Sequence, residues 1–146
     1  MIHTASEGIT LAKKLENDSA KFYEELAQRN TKDAETFLSF AKENKKNIAQ
    51  IQRTYYGVIT DAIEGCFAFN LDPEDYLLST SIPKGAKYTD ILGQALLMEE
   101  TIITFYTEAA EQSQNLMADV PRLFTLIARK RETRTQKLKE LLSSGA

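Results

Sequence analysis

Three features of the 146-residue sequence predict an all-α fold of four long helices arranged as two helical hairpins. Apolar residues recur at spacings of three and four over four long stretches. No stretch alternates with period two over a useful length, so no sheet is expected. The third feature is an internal repeat. Glu16, Phe22-Tyr23, Glu25 and Ala27 recur as Glu99, Phe105-Tyr106, Glu108 and Ala110, every pair separated by 83 residues. A repeat this long in a chain of one-domain size indicates two copies of one hairpin. It also gives each copy one acidic residue at an equivalent interior position.

The first hairpin spans residues 5–54. Thr4 with Glu7 fits a capping box, and Ile9, Ala12, Leu15, Glu16, Ser19, Phe22, Tyr23 and Leu26 then form one stripe of a helix ending near Asn30. Thr31 is the predicted cap of the second helix, whose stripe is Ala34, Phe37, Ala41, Asn44, Ile48 and Ile51. The joint between them is short, so the two helices are predicted to be antiparallel neighbours.

Residues 55–88 form the crossover. An apolar helical piece is predicted from Val58 to Phe69, a short helix capped by Asp72 with Pro73 in its first turn, and a loop from Ser79 to Lys87 containing Pro83 and Gly85. A connection of this length can travel along a bundle and start the second hairpin at the end where the first began. The second hairpin, 89–142, opens at Thr89 or Asp90 with Leu92, Ala95, Leu96, Glu99, Ile102, Ile103, Tyr106 and Ala110 in its stripe. Asp119 with Pro121 starts its second helix, striped by Leu123, Phe124, Ile127, Arg131, Arg134, Leu138, Leu141 and Leu142. The whole chain, 1–146, reads as a single domain.

Bulk properties narrow the function. A net charge of −3 argues against nucleic acid or an anionic membrane as main partner. The single cysteine, Cys66, rules out an internal disulfide and reads as a small buried hydrophobe. No segment approaches the roughly 18 apolar residues of a membrane span, and no apolar signal region follows the N-terminus. The default expectation is a cytoplasmic protein.

Four polar residues sit where the helical period calls for apolar ones. Glu16 and Glu99 lie seven before Tyr23 and Tyr106; Asn44 lies seven after Phe37, and Arg131 seven after Phe124. These spacings turn all four inward, with Asn47 and Arg134 one turn away. Tyr23 and Tyr106 read as core residues whose hydroxyls reach this polar centre. Glu43 and Glu132 adjoin it and would point inward after a one-residue shift of register. The basic run from Arg129 through Lys130 and Arg131 to Lys139 reads as a solvated helix face on its outward side.

Glu followed by five residues and Phe-Tyr, twice, over four helices with one long crossover resembles the rubrerythrin branch of the ferritin-like superfamily over residues 5–142. That resemblance implies a ferritin-like four-helix bundle, two helical hairpins joined by a long crossover containing short helices. It also implies a di-iron site, with glutamates from the first and third helices and a Glu-x-x-His from each of the second and fourth. Glu16 and Glu99 match the first- and third-helix metal ligands. Asn44-x-x-Asn47 and Arg131-x-x-Arg134 stand at the other former ligand positions, and His3, the only histidine, is near the terminus.

Those replacements change the chemistry. A di-iron site needs several carboxylates to balance its charge with hard oxygen donors. Arginine is a permanent cation and cannot ligate a metal; asparagine is a neutral, weak ligand. Arg131 is therefore expected to pair with Glu16 and Glu99 in place of the metal, with Arg134 either joining it or snorkelling to the surface. The leading expectation is a degenerate metal site in a non-catalytic structural or partner-binding protein, without a cofactor and assembled as a homodimer. The alternative is a metal-binding oxidoreductase or iron-handling protein that uses Glu16 and Glu99, with iron as cofactor.

Overall fold

The computed structural model describes residues 1–58, 67–114 and 119–144. Four long helices dominate it: α1 (Ala5–Arg29), α2 (Ala34–Val58), α3 (Tyr88–Ser113) and α4 (Asp119–Ser143). Two short strands, β1 (Ile2–Thr4) and β2 (Phe67–Leu71), and a 3-10 turn over Pro73–Tyr76 complete the described elements.

Local chemistry sets the helix ends. The Thr4 hydroxyl accepts from the Glu7 amide at 3.1 Å, and the Glu7 carboxylate accepts from the Thr4 amide at 3.0 Å, which closes the capping box. The Thr4 amide bond, then the hydroxyl bond, holds the Glu7 carboxyl below its ordinary value of 4.5. Thr31 does not cap α2. Asp33 stands immediately before that helix, and its carbonyl accepts the Phe37 amide at 3.3 Å. Asp72 caps the 3-10 turn by accepting from the Glu74 amide, with Pro73 first inside it. α3 begins one residue before the predicted Thr89, and Lys87 gives it no side-chain cap. Gly85, at φ 74°, turns the preceding loop in a conformation that glycine adopts without steric cost.

The pairings between helices define their directions. Asn44 and Asn47 on α2 meet Ser19 and Glu16 on α1, so the first hairpin is antiparallel. Tyr23 meets Glu99 while Tyr106 meets Glu16, so α3 also runs against α1. Phe40 meets Arg134 and Asn44 meets Arg131, so α4 runs against α2. The order is up, down, down, up.

The second hairpin therefore does not start where the first began. α3 starts beside the α1–α2 joint: the Tyr88 hydroxyl donates to Asp33 at 2.6 Å, and Arg29 donates to the carbonyls of Ile82 and Pro83. At the opposite end, the Asn70 amide of β2 donates to Gln112 near the end of α3 at 2.7 Å. The crossover thus runs the length of the helices.

The expectation of no sheet is also wrong. β1 and β2 pair antiparallel, with Ile2 opposite Leu71 and Thr4 opposite Phe67. Three residues are too few for β1 to show a period. β2 buries Ala68, Phe69 and Leu71 in a stretch whose apolar run reads equally as helix. Phe69 lies in strand rather than in the predicted helical piece, and Val58 closes α2; residues 59–66, including Cys66, lie outside the described residues. Phe69 packs directly on Gly8 of α1, where a Cβ would fall 2.2 Å from its ring.

The core is continuous along the helices and aromatic on both sides of a central polar layer. Tyr23 stacks on Phe37 at 6.2 Å and meets Phe40 edge-on at 5.1 Å. On the other side Tyr106 packs against Phe105 and Phe124, each at 5.3 Å. Ring pairs of this geometry contribute about 0.5–1.5 kcal/mol each beyond their area.

Candidate functional site

The polar layer joins all four helices. Glu16 (α1), Glu99 (α3), Asn44 and Asn47 (α2) and Arg131 (α4) have no exposed surface, and Arg134 is 2% exposed. All six positions singled out by their spacing are thus interior. Glu16, Glu99, Asn44 and Arg131 lie seven from a core aromatic and share its helix face; Asn47 and Arg134 follow one turn later.

Arg131 is the hub. Its Nη1 donates to Glu99 Oε1 at 2.6 Å, and its Nη2 and Nε donate to Glu16 Oε2 at 2.8 and 3.2 Å. Nη2 also reaches Asn44 Oδ1 at 3.2 Å. Asn44 Nδ2 donates in turn to the Ser19 hydroxyl at 3.0 Å, and Asn47 Nδ2 to Glu16 Oε1 at 3.0 Å. Burial alone would pull the Arg131 guanidinium down. The Glu16 and Glu99 carboxylates outweigh it and hold the group well above its usual value.

The two tyrosines close the layer crosswise. The Tyr23 hydroxyl donates to Glu99 Oε2 at 2.5 Å and the Tyr106 hydroxyl to Glu16 Oε2 at 2.6 Å. Each copy of the repeat supplies a donor to the acid of the other. Burial first, and then the adjacent carboxylate, pushes both hydroxyls well above their ordinary 10.0, so both stay neutral donors.

Arg134 plays a different part. It does not snorkel, and its main partner is Glu43: Nε and Nη2 donate to Glu43 Oε1 at 3.1 and 2.9 Å, and Nη2 also to the Phe40 carbonyl. Its Nη1 lies 3.7 Å from Glu99 Oε2, an ion pair beyond hydrogen-bond distance. The guanidinium carbon sits 5.1 Å from the centre of the Phe40 ring and 5.7 Å from that of Tyr23, a further attraction for a desolvated cation. Glu132 is exposed, so neither acid adjoining the layer points freely into it.

These residues do not fit a di-iron centre. A guanidinium occupies the space between the two carboxylates and binds both. Arg131 takes up the charge that the two carboxylates would offer a metal, and Arg134, paired with Glu43, places a second cation 3.7 Å from Glu99. At an effective dielectric near 20, a cation about 4 Å from Arg131 meets roughly 4 kcal/mol of repulsion per unit of charge. The acceptor left without a hydrogen bond in this layer is Asn47 Oδ1, a neutral amide oxygen. Among the described residues no group of three or more His, Cys, Asp or Glu side chains is arranged to hold a metal ion. Also among them, no helix is long and apolar enough to cross a membrane.

Sequence spacing did not reveal three of the pairings. Ser19 lies in the α1 stripe as an ordinary small residue, yet it anchors Asn44. The crossed pairing of the tyrosines depends on α3 running against α1, which no periodicity shows. Glu43 became the partner of Arg134 because its side chain reaches across the α2–α4 seam. Comparison with known proteins adds nothing: no protein-family model, curated protein or solved structure matches the chain.

Proposed function

We propose that this protein is a ferritin-like bundle of the rubrerythrin type in which an internal ion network replaces the di-iron centre, and that its role is structural or partner-binding rather than catalytic. One observation carries the reading: Arg131 donates to both Glu16 and Glu99 inside a fully buried layer. The crossed hydrogen bonds and the up-down-down-up order support it, because both follow from two copies of one hairpin around a pseudo-twofold axis. Glu16 and Glu99 then stand as vestigial ligands, without a cofactor. A homodimer is the assembly we expect.

A metal-binding oxidoreductase using Glu16 and Glu99 would have to expel Arg131 and recruit donors absent from the layer. Anaerobic addition of ferrous iron, followed by metal analysis and by optical spectra after exposure to oxygen, separates the two readings. The expected result is no tightly bound iron. Two irons per chain with an oxo-bridge absorption would overturn the proposal.

A further inference from the structure

We propose that the groove between the start of α2 and the second half of α4 is a binding site for phosphate monoesters. The groove has a volume of about 550 Å³, in the range of small-molecule sites. Lys130, Thr133 and Lys137 line it from α4, and Thr36, Ser39 and Phe40 from α2. Lys130 and Lys137 share one face of α4 about 10 Å apart along the axis, a gap that two long lysine stems can close around one phosphate. Lys130 has no carboxylate partner among the described residues. Lys137 has only an exposed contact with Glu140 at 3.9 Å, which competes weakly.

The hydroxyls strengthen the case. Most helical threonines of this protein return their hydroxyls to the carbonyl four residues back, as Thr101 and Thr104 do at 2.9 Å. Thr36 and Ser39 make no such bond among the described residues, so both hydroxyls are available to a ligand. Thr133 Oγ1 is held by only a long 3.4 Å bond. Two ammonium groups and three hydroxyls suit a tetrahedral dianion, because charge-assisted bonds to phosphate oxygens are the strong ones.

The carboxylates in the groove do not cancel this. Glu43 is already neutralised by Arg134, which leaves Glu35 against two lysines on a chain that is acidic overall. Phe40 offers an apolar surface for the body of the ligand. The lysines lie outside the buried layer, and the only residue the groove shares with it is Arg134, through its pairing with Glu43.

The test is an amide NMR titration of the full chain with phenyl phosphate and, separately, with a phosphoserine peptide and its unphosphorylated form. Saturable shifts at Ser39, Thr133 and Lys137 are expected with a phosphorylated probe. Affinity should fall about tenfold or more in the K130Q/K137Q variant, and the thermal midpoint should not move. Ser39→Ala is an independent variant expected to weaken the same binding. A K45Q/K46Q control, on exposed lysines outside the groove, should bind as the parent does. Binding of phenyl phosphate alone would mark a small-molecule site, and binding of the phosphopeptide alone a phosphoprotein site; both support the proposal. No saturable shift with either probe would overturn it. So would equal binding of the unphosphorylated peptide, or equal loss from both lysine pairs.

Discussion

Tyr23 and Tyr106 each donate a hydrogen bond to the glutamate of the opposite repeat, at 2.5 Å to Glu99 and 2.6 Å to Glu16. This exchange ties α1 to α3 at two points about two helical turns apart. It also satisfies one oxygen of each acid with a neutral donor, so that Arg131 supplies the charge and the tyrosines supply the geometry. Buried carboxylates are tolerated only with both.

Arg131 is the first point to test. Arg131→Met keeps an apolar stem of similar length but leaves Glu16 and Glu99 buried without their shared cation. Breaking a buried pair by removing one partner costs about 3–5 kcal/mol, so denaturant unfolding should show a loss of that size. Adding Glu16→Gln and Glu99→Gln to Arg131→Met should recover much of it, because no charge is then left unpaired. An unchanged unfolding free energy in Arg131→Met would show that the layer does not depend on this cation.

The tyrosines predict behaviour at high pH. Their folded values lie well above 10.0, raised first by burial. A raised value means that the neutral form is favoured in the folded state. The contribution is therefore fully present below pH 10 and is lost as pH rises beyond it, where only the unfolded tyrosines ionise. These two groups steepen the fall by about 2.7 kcal/mol per pH unit. Tyr23→Phe/Tyr106→Phe should be less stable at neutral pH, by roughly 1.5–3 kcal/mol per lost bond to a charged acceptor. Its stability should also decline less steeply above pH 10. Urea midpoints on either side of pH 10 check both parts.

Gly8 is a packing constraint. Its missing Cβ admits the Phe69 ring, and an added methyl would fall 2.2 Å from Cε2 and 2.5 Å from Cδ2. Gly8→Ala improves helix propensity by roughly 1 kcal/mol yet should destabilise the protein, because overpacking of this kind costs about 1–3 kcal/mol. Phe69→Leu in the same chain should relieve the clash. A thermal midpoint that rises in Gly8→Ala alone would mean that β2 does not pack on α1.

The contrast between Gly8 and Glu16 shows what the sequence could reveal. Glu16, Glu99, Asn44 and Arg131 were legible because a helix repeats its face every three or four residues, and a polar residue in an apolar stripe stands out. Gly8 and Phe69 were not, because their contact joins a helix to a five-residue strand across a crossover and has no period. The direction of α3 was misread for a related reason: the length of a crossover does not say at which end it delivers the chain. Arg134 was only half legible. Its place beside the layer followed from spacing, but its burial and its choice of Glu43 over Glu99 are decided by reach across a seam, which sequence separation does not encode.

The alignment of the two halves can be tested by restoring what the resemblance implies. Asn44→Glu, Asn47→His, Arg131→Glu and Arg134→His together remove both buried cations and supply two carboxylates and two imidazoles beside Glu16 and Glu99. Without metal this variant should be less stable than the parent, since four carboxylates then share a buried layer with no countercharge. Ferrous iron should reverse that deficit, because a ligand that binds only the folded state stabilises it in proportion to the logarithm of its concentration over its dissociation constant. The expected outcome is a helical protein whose thermal midpoint rises with added iron while the parent's does not. A folded variant that stays iron-free would show that Asn44, Asn47, Arg131 and Arg134 do not stand at ligand positions, and the proposed kinship with the rubrerythrin branch would fall with them.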